Sequence, residues 1–433
     1  MQQFILKYRE LLLVLVSWFF LGLFFKTGAI AATFIFYFLF IYYKKDVYVL
    51  FSLFFVLILS DNYSMSFAAQ VKPLLILLLA VYVVLQKKVT SQGSLIKPFL
   101  FFFIVSVFSL IRSPILFTAI MKNLSYFLLY LSLPPLLIHL VKKKGKMIVL
   151  DFISLGILVI LIGFFYLAFK PSFVLSHGGR FKGLFGNPNG LGIFSFLLFS
   201  LYIIAKKHLG IRVNKWQNIL YQAIIFTALF YSKSRGAIAS VFIFTASQFI
   251  SKVSIVLPII LVPLLGVYLD SILNIALFLL EQFGLGKALR VDGKESLEKA
   301  SGRAVAWFFA WKEIQKNFYF GRGWAYDEYW IYGPIQHKLN MLNHQGGVHN
   351  SYLIFWLNTG FIGLFSFVGG IVATISRVYR KSELIIPLVL ASAFSANFEP
   401  WLAASLNPFT IMFLMGLTLL IYFKPILDEE TSI

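Results

Sequence analysis

The sequence predicts an all-α polytopic integral membrane protein: one membrane domain carrying a single large external loop. Three observations predict it. The 433-residue chain is 60% hydrophobic and only 13% charged, about half the charged share of soluble domains. Its apolar residues fall into stretches that approach the ~20 residues a helix needs to cross a bilayer. Its positive charges lie in short clusters between those stretches, as expected of cytoplasmic loops.

In order, the apolar stretches cover 11–25, 30–43, 47–60, 73–85, 98–111, 117–141, 149–169, 191–205, 219–231, 237–250, 255–280, 351–376, 384–396 and 409–423. Several are short, so about 12 to 14 transmembrane helices are expected. The first stretch follows Lys7 and Arg9 and is succeeded by further spans, so it reads as a retained anchor. With Lys7 and Arg9 in the cytoplasm and sides alternating at each span, Lys44-Lys45, Lys87-Lys88, Lys142-Lys143-Lys144, Lys206-Lys207, Lys252, Arg377 and Lys424 all fall inside. Lys26 is the exception. No repeat or low-complexity linker interrupts the chain. The expected organisation is N-terminal membrane helices over 1–280, the large external loop over 281–349 and C-terminal membrane helices over 350–433.

The net charge of +21 follows from those loops and implies no nucleic acid. With no cysteine in the chain, disulfides, thiolate metal sites and cysteine nucleophiles are excluded. No phosphate-binding loop, dinucleotide fingerprint, metal motif or paired carboxylates stand out, so neither a cofactor nor a metal is expected.

Four segments assigned outside break the positive-inside trend: 170–190, 232–236, 281–349 and 397–407. Positive charge there opposes insertion, and an anion is the partner it suits. The most informative position is His349, where the polar loop gives way to apolar sequence. An imidazole there can exchange protons at neutral pH; the alternative is a structural interfacial histidine. Asn350 follows it and is expected to orient a ring or substrate. His337 and His344 lie in the same loop and are expected to matter less. Arg235, Arg303 and Arg322 carry forks that match phosphate oxygens, with structural salt bridges as the alternative. Trp324, Tyr326, Tyr329 and Trp330 suit sugar faces and a membrane interface equally. Apolar spacing at Ala304, Trp307, Phe308, Trp311, Ile314 and Phe318 predicts an amphipathic interfacial helix over 297–318.

Together these motifs resemble the bacterial O-antigen ligase/polymerase superfamily. The resemblance rests on Gly186-Asn187-Pro188-Asn189-Gly190, on Ser234-Arg235-Gly236, on Gly302-Arg303 followed by Gly321-Arg322-Gly323, and on His349-Asn350 followed by Gly360-Phe361-Ile362-Gly363. It runs from about Arg180 to the C-terminus. The resemblance implies a GT-C-like fold and metal-independent transfer of a glycan from undecaprenyl diphosphate at the outer face of the bacterial cytoplasmic membrane. It implies His349 as base or acceptor-orienting residue, Arg235 and Arg303 as diphosphate ligands with Arg322 as a third cation, and Asn350, Asn187, Asn189, Arg180 and Glu399 in support. Its partners would be the lipid-linked donor, an acceptor glycan or lipid, membrane lipids and a chain-length regulator. Ligases of the family often carry Leu where this chain has Trp307. That departure and the aromatic loop favour a polysaccharide polymerase over a ligase. A transporter for the same lipid-linked glycan is the reading from another class, for which broken helices and paired repeats would be expected.

Overall fold

Asparagine and proline decide where several helices begin. In a computed structural model, which describes residues 1–90, 93–176, 178–254, 256–267, 303–342, 344 and 346–423, Asn187 accepts the N–H of Gly190 at 2.9 Å and Pro188 opens the next helix. Asn407 and Pro408 repeat the device, with Thr410 N–H as donor at 2.8 Å. An asparagine oxygen satisfies an orphan amide of the first turn, and proline loses nothing there because its missing N–H would be unpaired anyway.

The longer helices are α1 (Arg9–Phe24), α2 (Lys26–Tyr42), α3 (Asp46–Ser60), α4 (Ser66–Leu85), α5 (Ile96–Ser109), α6 (Leu116–Lys144), α7 (Met147–Phe169) and α8 (Pro188–Ile203). They continue as α9 (Lys215–Ser232), α10 (Arg235–Val253), α11 (Val256–Val267), α12 (Arg303–Lys316), α13 (Tyr326–Tyr332), α14 (Ser351–Ser376), α15 (Ile385–Ala396) and α16 (Pro408–Tyr422). Among the described residues, β structure is limited to one bridge between Leu175 and Phe181. The protein is an all-α polytopic membrane protein.

Among the described residues, six helices are long and apolar enough to cross a membrane: Tyr63–Leu85, Leu116–Lys144, Met147–Phe169, Pro188–His208, Arg235–Val253 and Ser351–Ser376. Lys26–Tyr42, Asp46–Ser60, Ile385–Ala396 and Pro408–Tyr422 are apolar but shorter. The expected count of spans is therefore met in part, and much of the stretch expected over 255–280 lies outside the described residues. α8 runs through the centre with nearly every side chain buried, which explains its lack of a polar face. α14 packs on α5, and α10 on α15.

Basic residues assigned to one side gather at one end, while Lys424 lies outside the described residues. Lys7 and Tyr8 hold Asp151 at 2.6 and 2.8 Å, Lys143 reaches Asp46 at 2.9 Å, and Lys146 donates to the Leu209 carbonyl at 3.1 Å. Segments 232–236 and 397–407 and the described parts of 170–190 and 281–349 meet around one cavity at the opposite end.

The interfacial helix forms as α12, but its inner face differs from the expected stripe. Ala306, Ala310 and Ile314 are buried, while Phe308 and Trp311 point outward. Small side chains let the backbone approach its neighbours, and the bulky rings are left for the surroundings. The part of that prediction over 297–302 lies outside the described residues.

Candidate functional site

α8, α10 and α14 all begin around one cavity of about 420 Å³, which Arg303, the first described residue of α12, also lines. Their positive dipole ends converge there, which favours an anion before any side chain is counted. Arg180, Lys233, Arg235 and Arg303 line the cavity with His344, His349, Asn189 and, as the single carboxylate among the described residues, Glu399.

Glu399 is the hub. Its Oε1 accepts from Arg303 Nη2 at 2.6 Å and from Asn189 Nδ2 at 2.8 Å. Its Oε2 lies 3.2 Å from His349 Nδ1. Its backbone carbonyl accepts from Ser351 Oγ at 2.9 Å, which ties the 397–407 segment to the first turn of α14. Asn189 completes the circuit, since its Oδ1 accepts from Arg180 Nη2 at 2.7 Å. Arg180 Nε in turn donates to the Ser232 carbonyl at 2.9 Å, fastening the 170–190 segment to the Ser-Arg-Gly turn.

With Nδ1 directed at a carboxylate, the proton of a neutral His349 belongs on Nδ1, and Nε2 is left as the basic atom. Glycine at 346 keeps the Nε2 side open: a Cβ added there would lie 2.8 Å from Nε2. His349 itself adopts a left-handed backbone, φ 50°, which a non-glycine residue holds only when its surroundings impose it. Two contacts impose it here. Trp307 Nε1 donates to the Val348 carbonyl at 2.8 Å on one side. On the other, Asn350 Oδ1 accepts from Tyr352 and Leu353 N–H at 2.9 and 3.0 Å, starting α14.

The expected residues therefore divide. Arg235, Arg303, Arg180, Asn189, Glu399 and His349 are brought together. Asn187 and Asn350 serve as helix caps, so their amide oxygens are committed to backbone rather than to a ring or substrate. Arg322 lies elsewhere: its Nη2 pairs with Glu313 at 2.7 Å, beside Lys316 at 2.6 Å and the Tyr326 hydroxyl at 3.0 Å. Burial pushes the Glu313 carboxyl up, but these partners outweigh it and hold the group below its ordinary 4.5. Trp324 and Trp330 are buried at 4% exposure and so have no ring face to offer a sugar. Trp324 packs on Phe102 and Tyr126, and Trp330 sits in the apolar cluster under α12. Amphipathic rings in a loop look alike in sequence whether they cover a core or face water. Tyr326 is half-buried on Glu313, and Tyr329 is exposed.

Two lining residues were missed. His344, expected to matter little, is 4% exposed, and its ring stands edge-on to His349 at 6.1 Å. Lys233 closes α9 in a left-handed conformation and turns its carbonyl toward Arg180 at 3.3 Å. Neither has a local sequence signal; only the fold brings them in. His337 is exposed on the short helix Gln336–Met341.

α14 is broken at Gly360, φ 71°. The Phe318–Gly323 segment occupies the break: Arg322 and Gly323 N–H donate to the Leu357 and Asn358 carbonyls at 2.8 and 2.9 Å, and Phe361 and Ile362 N–H donate to the Phe318 and Tyr319 carbonyls at 2.8 and 3.2 Å. The two glycine motifs are thus halves of one clasp. A broken helix is expected of a transporter, but the groups freed here are consumed by the protein's own backbone.

Fold and site define a multi-pass membrane protein with a cation-lined pocket built around a histidine–carboxylate pair. A family model described as O-antigen ligase matches residues 220–368, spanning Arg235, Arg303, His344 and His349. The match supports the O-antigen ligase/polymerase superfamily and, with it, a polysaccharide-assembly enzyme of glycosyltransferase type. Arg180, Asn189 and Glu399 lie outside the matched segment. No curated protein matches the chain.

Proposed function

We propose that this protein is a bacterial surface-polysaccharide polymerase. In this reading it transfers a glycan from undecaprenyl diphosphate to a hydroxyl of a lipid-linked acceptor repeat unit, at the external face of the cytoplasmic membrane. The observation that carries glycosyl transfer is the joining of His349, Glu399, Asn189, Arg303 and Arg180 in one network around a cationic cavity.

The step follows from that arrangement. The acceptor hydroxyl gives its proton to His349 Nε2 as its oxygen bonds to the anomeric carbon. The bond from that carbon to the diphosphate oxygen breaks, and its electron pair leaves with the phosphate. Glu399 accepts from the Nδ1–H and stabilises the imidazolium that forms. Arg235, with Arg180, Lys233 and the remaining donors of Arg303, offsets the charge that develops on the leaving diphosphate. Fixed cations do this without reorganising, so the reading is metal-independent and predicts turnover in EDTA.

The polymerase form is favoured by the departure at Trp307, where ligases of the family often carry Leu; its indole donates to the carbonyl before His349. The ligase form, with lipid A core or another acceptor, is the second reading; the family match over residues 220–368 is common to both. The test is purified protein supplied with lipid-linked repeat units alone. A ladder of lengthened lipid-linked glycans is expected from wild type and none from His349→Ala. Product formed only when a different acceptor is added would make it a ligase. An unchanged ladder from His349→Ala would remove the histidine from the chemistry.

A further inference from the structure

The Asn-Pro-Asn turn has two faces. One presents Asn189 to Glu399 and Arg180 in the pocket. The other rests on Asp61, the residue that ends α3. Asp61 Oδ2 accepts the Gly186 N–H at 3.0 Å, and Asn62 Nδ2 donates to the Leu184 carbonyl at 3.2 Å. The approach is close: a Cβ at Gly186 would lie 2.0 Å from the Asp61 carbonyl oxygen, and one at Gly190 would lie 3.2 Å from Oδ2. The segment that carries Glu399 is two-faced as well, since Lys72 Nζ donates to the Leu406 carbonyl at 3.4 Å.

Asp61 keeps an exposed surface although protein surrounds it, so it lines a recess. Burial raises its carboxyl above the ordinary range, while the Gly186 N–H, Lys72 and Lys182 act to lower it and Glu399 adds to the rise. Its Oδ1 accepts no hydrogen bond from another described residue. Tyr63, two positions on, is 96% exposed.

We propose that this recess is a saccharide subsite that holds the acceptor glycan while the donor diphosphate occupies the pocket across the turn. The proposal rests on the glycosyl-transfer reading. A carboxylate oxygen accepts from sugar hydroxyls, the ammonium groups of Lys72 and Lys182 donate to them, and the open ring of Tyr63 offers a flat face for C–H contacts. An acceptor held here is separated from the pocket only by the turn, whose Asn189 belongs to the His349 network.

The test uses the full protein in nanodiscs and two probes: the oligosaccharide repeat unit released by mild acid from the host's own lipid-linked pool, and undecaprenyl diphosphate. Asp61→Ala and Tyr63→Ala should each weaken oligosaccharide binding, by roughly ten- to a hundredfold for the charged group, and leave undecaprenyl diphosphate binding unchanged. Unchanged oligosaccharide affinity in both variants overturns the proposal. So does a matching loss of undecaprenyl diphosphate affinity, which would assign the recess to the donor. Tyr63→Ala removes an exposed ring and should fold. Asp61→Asn keeps an acceptor for Gly186 and replaces the alanine variant should that one fail to fold, with a smaller loss in the same direction. His349→Ala separates the two ideas: it should bind the oligosaccharide normally and fail to turn over. Retained turnover there would sink the transfer reading, and the binding result at Asp61 would stand separately.

Discussion

Glu399→Gln isolates the chemistry at little cost in shape. In the wild type, Oε1 takes two donors, Arg303 Nη2 at 2.6 Å and Asn189 Nδ2 at 2.8 Å, while Oε2 faces His349 Nδ1 at 3.2 Å. All three partners are donors when the imidazole carries its proton on Nδ1. A glutamine has one oxygen, and the arginine and asparagine claim it. Its NH₂ group is then turned toward His349 and asks Nδ1 to accept, which moves the ring proton to Nε2, the atom that must act as base. In serine hydrolases the equivalent loss of tautomer control costs about 10⁴-fold in kcat. A positioned base in general contributes about 10²–10⁴-fold, or roughly 3–5 kcal/mol of barrier. We expect a kcat fall of about 10²–10⁴-fold at neutral pH, with undecaprenyl diphosphate affinity reduced by less than about tenfold because the cations remain. The assay is turnover of lipid-linked repeat units by protein in nanodiscs, with ¹⁵N imidazole spectra to read the tautomer. A glutamine variant that turns over like wild type, with the Nε2–H tautomer established, would refute the assignment of Nε2 as the base.

Other outcomes follow from the same geometry. Gly360→Ala places a Cβ 2.2 Å from the Tyr319 carbonyl oxygen at φ 71°, so it should destabilise the protein by about 3 kcal/mol or more; an unchanged melting temperature in detergent would show that the clasp is dispensable. Trp307→Phe removes the donor to the Val348 carbonyl at 2.8 Å and should lower kcat roughly fivefold, the worth of about 1 kcal/mol, with folding intact. Glu313 is held below its ordinary value, so its contribution is present above its unfolded pKa and is lost as pH falls through the lower folded one; Glu313→Gln should flatten stability against pH on the acid side of 4.5, and a profile like that of wild type would contradict this. Cysteine at Tyr63, 96% exposed at the pocket end, should react with an impermeant maleimide from outside intact cells, and cysteine at Trp216, 79% exposed at the other end, should not; the reverse pattern would invert the topology.

The sequence by itself determined the class, the ends of the molecule and much of the pocket's membership. Apolar stretches and alternating lysine clusters carry that information because insertion is governed by transfer of whole segments and by loop charge, both local properties. His349, Arg235 and Arg303 were legible for the same reason: charge at a membrane boundary is costly and demands a partner. What only the tertiary structure decided is partnership. Glu399 lies 50 positions from His349 and 210 from Asn189, and no local pattern makes it the hub. Arg322 and Arg180 exchange the roles their motifs suggested, because Glu313 captures the first and the Asn189 amide directs the second toward the cavity. Trp324 and Trp330 go to the core, since an aromatic ring gains more from burial than a polar loop's composition reveals. The glycines of 321–323 and 360 look like separate motifs along the chain. They prove to be one object because the broken backbone of α14 must find its hydrogen-bond partners inside the protein, and these are 35 and 43 residues upstream in sequence and in direct contact in space.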